Sequence, residues 1–75
     1  MDIDSFYKKI ARRIKYLRKE RGLTQEKLAE LANISVDYLG KIETNLNKPG
    51  LIALYKIVNN LDISFENFFK GFDYD

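Results

Sequence analysis

The sequence of 75 residues contains neither cysteine nor histidine. Without cysteine the chain has no disulfide bond and no thiolate metal site, and without histidine it lacks the commonest general base and metal ligand. A domain of this size buries only about 60% of its unfolded surface, so the remaining carboxylates have little room for a pocket. The composition therefore argues against an enzyme and indicates no metal site and no cofactor.

Long apolar runs are also missing, and none approaches the roughly 20 residues that a membrane span needs. The N-terminal segment, residues 1–4, is acidic and no apolar stretch follows it, so it does not resemble a signal peptide. We expect one domain over residues 1–75 in a soluble, cytoplasmic protein.

Positive charge is concentrated at the beginning of the chain. Residues 1–22 hold eight basic and three acidic side chains, giving +5. Residues 23–49 hold three and four, giving −1, and residues 50–75 hold two and four, giving −2. A basic N-terminal part and an acidic C-terminal part are typical of a protein that presents one face to a polyanion. A first helix that is merely solvated would give the same distribution.

The apolar residues of the first part recur at helical spacing and predict a helix over residues 4–21, with a buried stripe of Phe6, Ile10, Ile14 and Leu17. Asp4 or Ser5 can cap its start, and Gly22 can end it in a left-handed conformation.

Two short helices joined by a tight turn follow, over residues 25–32 and 35–44. Thr24 and Ser35 are suitable N-cap residues, and Asn33 at the turn tolerates a left-handed backbone. The expected inward positions are Leu28, Leu31, Ala32, Leu39 and Ile42.

A restart at Pro49-Gly50 predicts a fourth helix over residues 51–60, with Leu51, Leu54, Leu61 and either Ile57 or Val58 as its apolar face. Ser64 can cap a short fifth helix, 65–70, which Gly71 ends. The pattern predicts an all-α fold of five helices around one core.

The sequence resembles the phage-repressor and Cro type of helix-turn-helix proteins, the xenobiotic-response-element-like (XRE) regulators. The resemblance is carried from about Phe6 to Phe69 by segments such as 14–18, 22–25, 28–29, 34–35, 38–39, 41–43, 54–57 and 61–64. It implies a five-helix, lambda-repressor-like DNA-binding domain whose helix-turn-helix is formed by helices 2 and 3.

By this resemblance the helix that starts at Ser35 is the recognition helix. Val36, Asp37 and Lys41 match positions that reach base edges, and Ser35 and Tyr38 lie close enough to contribute. Asp37 has an alternative role, since an acidic residue in a first helical turn stabilises the helix through its dipole.

The resemblance also implies contacts to DNA phosphates. Gln25 is expected to bind a phosphate while it braces a side chain of the recognition helix. Further candidates are Thr24, Asn45, Asn47, Lys48, Arg13 and Lys15, each of which can instead be an ordinary solvated residue. Arg18 and Glu43 match a partly buried structural salt bridge.

Four positions depart from the family pattern. One is Gly50, which stands where a serine cap is usual, so we expect a frayed start of the fourth helix. Asn33 and Asn45 stand where glycine is common, and we expect both to keep a left-handed backbone. Gly40 stands inside the recognition helix where serine is frequent, at a cost of about 1 kcal/mol of helix propensity relative to alanine.

Aromatic residues crowd the C-terminus: Phe65, Phe68, Phe69, Phe72 and Tyr74. We expect part of this cluster to close the core, and we predict a two-fold dimer through the fourth and fifth helices with Phe65, Phe68, Phe69 and Phe72 at its interface. Useful affinity usually requires two half-sites about one helical turn apart.

The resemblance therefore implies a transcriptional regulator that binds a palindromic operator in double-stranded DNA as a homodimer, similar to small controller proteins. No small-molecule effector is evident. Two alternatives use the same fold: the antitoxin of a toxin–antitoxin pair, and a protein-interaction adaptor that reads no bases.

Overall fold

The structure is a computed structural model that describes residues 1–72, so Tyr74 lies outside the described residues. Within them the chain forms five helices and no strand, which confirms the all-α prediction. The helices are α1 (Ile3–Glu20), α2 (Gln25–Ala32), α3 (Val36–Glu43), α4 (Leu51–Asn59) and α5 (Phe65–Phe69). The predicted helix ends differ from these by at most one residue.

Side chains cap the starts of α2, α3 and α5. Thr24, Ser35 and Ser64 each accept a hydrogen bond from the backbone N–H three residues later, at 3.0–3.1 Å. These bonds satisfy N–H groups that have no partner inside the helix. The cap at Ser35 fixes the residue at which α3 begins.

The predicted cap of α1 was wrong. Its N-cap is Asp2, whose Oδ1 accepts from the backbone N–H of Ser5 at 2.8 Å. This hydrogen bond lowers the pKa of the Asp2 carboxyl below its ordinary value, because it stabilises the charged form. The apolar stripe did not reveal this start because Ile3, in the first turn, is 66% exposed.

Left-handed residues make the turns between the first helices. Gly22 follows α1 with φ +69°, and the two asparagines that stand in glycine positions, Asn33 and Asn45, have φ 57° and 62°. All three were expected to be left-handed, and this is confirmed. Asn33 also donates its backbone N–H to the carbonyl of Glu30 and so closes the end of α2.

One apolar core joins all five helices: Ile10, Ile14, Leu17, Leu28, Ala29, Ala32, Leu39, Ile42, Leu54, Ile57, Val58, Leu61 and Phe68. Two expected members are not in it, since Leu31 is 44% exposed and Leu51 is 79% exposed. Both belong to helices of eight or nine residues, where the buried face is too narrow to include every apolar side chain. Ala29 takes the inward place beside Leu28.

The C-terminal phenylalanines pack mainly within the chain, which corrects the predicted interface. Phe68 is fully buried in the core. Phe69 stacks on Phe6 of α1 with ring centroids 5.9 Å apart, and Phe72 contacts Phe69 at 5.1 Å. Of the four residues assigned to a dimer interface, Phe68 therefore has no surface to offer, and Phe69 and Phe72 are partly covered by α1.

Candidate nucleic-acid interface

The outward face of α3 is the most distinctive surface of the helix-turn-helix. Leu39 and Ile42 hold α3 on the core at 0% and 1% exposure, which turns the opposite positions to solvent. Val36 is 43% exposed there, although nothing in the fold requires an apolar side chain at that place. The three residues expected to reach bases, Val36, Asp37 and Lys41, therefore lie together on this face.

The two charged side chains on this face, Asp37 and Lys41, form an ion pair with each other. Lys41 Nζ lies 3.1 Å from Asp37 Oδ2, one helical turn away, and both side chains remain largely exposed. An exposed pair of this kind contributes only about 0.3–0.5 kcal/mol to the helix, so a ligand can replace it at little cost. Both groups are thus free to form hydrogen bonds with a partner.

The other two base candidates are less accessible. Ser35 Oγ is the cap of α3 and accepts from the backbone N–H of Tyr38 at 3.0 Å. Tyr38 is half-buried and packs against the core beside Ile34. Neither residue lines the concavity on the outward face of α3 that Val36, Asp37 and Lys41 share.

The ion pair between α1 and the end of α3 is present. Arg18 donates from Nε to Glu43 Oε2 at 2.7 Å and from Nη2 to Oε1 at 3.1 Å, and both side chains are buried. Arg18 Nη1 also donates to the carbonyl of Leu23 at 2.8 Å. The bidentate contact fixes the C-terminal end of α3 to α1.

Gln25 joins α2 to this pair. Its Nε2 donates to Glu43 Oε1 at 3.0 Å, so it does brace a side chain of α3. Its Oε1 lies 3.7 Å from the position that a Cβ atom would take at Gly40. The start of α2 and the middle of α3 therefore line one shallow concavity of about 470 Å³, together with Val36, Asp37, Lys41, Thr44 and Leu46.

The remaining phosphate candidates divide into two groups. Thr24 lies at the start of α2, and Asn45, Asn47 and Lys48 follow α3 in the chain. Lys48 is held by Asp4 at 3.7 Å and lies over the ring of Tyr7. On α1, Lys15 is exposed, whereas Arg13 donates to the carbonyls of Phe68 and Asn67 at 3.2 Å each. The placement of Arg13 corrects its assignment, because its guanidinium anchors α5.

Sequence reasoning missed three residues at this surface. Leu46 is 76% exposed beside α3, and its backbone N–H donates to the carbonyl of Lys41 at 2.8 Å. Lys8 and Arg12 of α1 lie next to Asn45 at the end of α3. The register of α1 is a signal that points to them, since Arg12 and Lys8 lie about two and about three helical turns before Arg18, which pairs with Glu43 at the end of α3.

The fold and this surface define a helix-turn-helix domain of the kind found in transcriptional regulators. The chain belongs to the helix-turn-helix family HTH_3, whose model matches residues 14–68. None of the helices in residues 1–72 is long and apolar enough to cross a membrane.

Curated relatives are regulators. The chain is 46% identical over 54 residues to the immunity repressor protein of Bacillus phage phi105, covering 72% of this chain and 38% of that protein. It is 43% identical over 56 residues to the transcriptional regulator SinR of Bacillus subtilis, covering 73% of this chain and 50% of SinR. The chain thus spans half or less of the length of these two relatives.

Two solved structures share the fold. A variant of the restriction-modification controller protein C.Esp1396I superposes with a TM-score of 0.81 at 33% identity, over 84% of this chain and 82% of that one. An HTH_3 family transcriptional regulator from Vibrio cholerae superposes with a TM-score of 0.82 at 39% identity, over 88% and 37%.

Proposed function

We propose that this protein is a sequence-specific DNA-binding transcriptional regulator that binds a palindromic operator as a dimer, with α3 in the major groove. The family and the names of its relatives support the class. The observation that carries the proposal is the outward face of α3, where Val36, Asp37 and Lys41 are exposed on a helix that the core holds in place.

The chemistry of the three side chains assigns each a base edge. The Lys41 ammonium donates to guanine O6 or N7, and the Asp37 carboxylate accepts from cytosine N4. Val36 contacts a thymine methyl group. Ser35 and Tyr38 contribute at the margin, because the first is used as a cap and the second is half-buried.

Phosphate contacts position α3 in the groove. The free backbone N–H groups at the start of α2, at Thr24 and Gln25, favour an anion. Asn45, Asn47 and Lys48 contact the DNA phosphate backbone on the other side of α3. Lys15 remains a candidate for a phosphate contact on α1. These contacts fix the register and carry no sequence information themselves.

The dimer forms through an apolar patch on α4 and α5. Leu51, Ile52 and Tyr55 are 79%, 73% and 55% exposed, and Phe65 stacks on Tyr55 with ring centroids 6.0 Å apart. The four side chains line one concavity of about 470 Å³. A second copy related by two-fold symmetry covers this patch and supplies the second recognition helix, since one helix reads only a few base pairs.

Selection of bound duplexes from a random pool tests the proposal. We expect an enriched sequence with two-fold symmetry, and an affinity that falls with salt at a log–log slope of about −0.9 for each neutralised phosphate. An adaptor that reads no bases would enrich no sequence. Absence of enrichment together with salt-independent retention would overturn the proposal.

Sedimentation tests the dimer separately. The wild-type protein should self-associate at high micromolar concentration or on the selected duplex, and Ile52→Lys should remain monomeric. Leu31→Lys is the matched control, because it also replaces an exposed leucine or isoleucine on a short helix but lies outside the patch. A wild-type monomer under both conditions contradicts this interface.

A further inference from the structure

The helix-turn-helix unit carries no net positive charge. Residues 23–49 contain three basic and four acidic side chains, a net charge of −1. Residues 1–22 carry +5, with nearly all of that charge on α1. Because phosphate attraction provides much of the affinity of DNA-binding proteins, we expect cations of α1 to contribute to it.

A small concavity of about 290 Å³ marks the place where α1 reaches the recognition helix. Lys8, Ala11 and Arg12 line it from α1, and Glu43, Thr44 and Asn45 line it from the end of α3. Two cations thus stand beside the last turn of α3.

The acidic and acceptor groups at this place are already paired. Glu43 is neutralised by Arg18 and also accepts from Gln25. The carbonyls of Lys41 and Ile42 accept backbone N–H groups of the turn that follows α3. The Glu43 carboxylate and these two carbonyls are therefore already paired, and Lys8 and Arg12 are the groups of the concavity that can attract an anion.

The two cations differ in how they are held. Within residues 1–72 Arg12 forms no hydrogen bond and no ion pair. Lys8 lies 3.4 Å from Asp4, in a pair that is more than half exposed on both sides and is therefore weak. Arg13, the neighbour of Arg12, is by contrast fixed to the carbonyls of α5.

We propose that Arg12 and Lys8 bind a backbone phosphate of the DNA that α3 reads, with the side-chain amide of Asn45 as a third donor. The contact extends the protein footprint from the helix-turn-helix onto α1. The inference rests on the proposed function, because it requires a duplex in the groove beside α3.

Salt titration of charge-removing variants tests it. Arg12→Gln should weaken binding to the selected duplex and to a scrambled duplex by a similar factor, at least about fivefold. It should also make the log–log salt slope shallower by about 0.9, with Lys8→Gln acting in the same direction. Lys19→Gln is the matched control, since Lys19 is an exposed cation of α1 that lines neither this concavity nor the one beside α3.

A second measurement locates the phosphate. Each phosphate of the selected duplex is replaced in turn by an uncharged methylphosphonate. At one position the replacement should weaken DNA binding by the wild-type protein and by the Lys19→Gln variant. The same replacement should leave DNA binding by the Arg12→Gln variant almost unchanged.

The outcomes separate this inference from the function on which it rests. If the wild-type protein selects a sequence but Arg12→Gln behaves like Lys19→Gln in both measurements, the inference fails and the proposed function stands. If the wild-type protein selects no sequence and binds without salt dependence, both fail. Thermal melting of Arg12→Gln should match the wild-type protein, because Arg12 has no partner within the described residues 1–72.

Discussion

Replacing Glu43 by alanine should destabilise the domain strongly. The side chain is 1% exposed and accepts three hydrogen bonds, two from Arg18 and one from Gln25. Its removal leaves the Arg18 guanidinium charged and buried, and breaking a buried pair in this way costs about 3–5 kcal/mol. Native domains of this size have a total stability of about 4–11 kcal/mol, so the loss is a large part of it.

The loss corresponds to a fall in melting temperature of about 12 °C or more, since 1 kcal/mol shifts the midpoint of a domain of this size by about 4–8 °C. Urea denaturation followed by circular dichroism measures the loss in free energy of unfolding. An unchanged m-value would show that the same surface is exposed on unfolding. Glu30→Ala is the control, because Glu30 pairs with Lys27 at 3.2 Å on an exposed face. That variant should lose no more than about 0.5 kcal/mol.

The double variant Arg18→Met/Glu43→Leu checks the physical reason. Because it removes both charges and keeps apolar volume, it should be more stable than Glu43→Ala. A loss below about 1 kcal/mol in Glu43→Ala, or a double variant less stable than Glu43→Ala, would refute the account of a stranded buried charge.

Three further predictions concern other parts of the fold. Gly40→Ala should stabilise the free protein by about 0.5–1 kcal/mol in urea denaturation, because the added Cβ finds ordinary contact distance; a loss of stability would contradict this. Phe68→Ala should cost about 3–5 kcal/mol by the same assay, and a loss under 1 kcal/mol would show that Phe68 is not in the core. Asp2→Ala should lower the melting temperature at pH 7. Because the pKa of Asp2 is lowered in the folded state, its contribution to stability is present above pH 3.8. The difference in melting temperature between the wild-type protein and Asp2→Ala should therefore shrink as the pH falls below that value. A difference independent of pH would contradict this.

Features that depend on a few neighbouring residues were predictable from the sequence. The caps Thr24 and Ser35 and the left-handed asparagines Asn33 and Asn45 follow from the chemistry of single residues, and the structure has all of them. The cap of α1 was missed because Ile3 is exposed, so the hydrophobic pattern begins later than the helix does.

Features that depend on packing between distant segments were not predictable. Phe65 and Phe68 look alike in the sequence, yet Phe68 is fully buried in the core whereas Phe65 is only partly buried against it. Arg12 and Arg13 are neighbours, but Arg13 donates to carbonyls of α5 while Arg12 lines the concavity at the end of α3. Their separation depends on how α1 is rotated against the other helices, which one amphipathic stripe does not define.

The most direct test of the central claim is the ratio of dissociation constants for a scrambled duplex and the selected duplex, measured for Lys41→Ala. If Lys41 reads a guanine, this ratio should fall by at least about tenfold, while loss of the exposed pair with Asp37 lowers the melting temperature by no more than about 4 °C. Lys27→Ala, which also breaks an exposed pair within one helix, should keep the wild-type ratio. An equal loss of affinity for both duplexes, or no loss at all, would contradict the claim that α3 reads bases through Lys41.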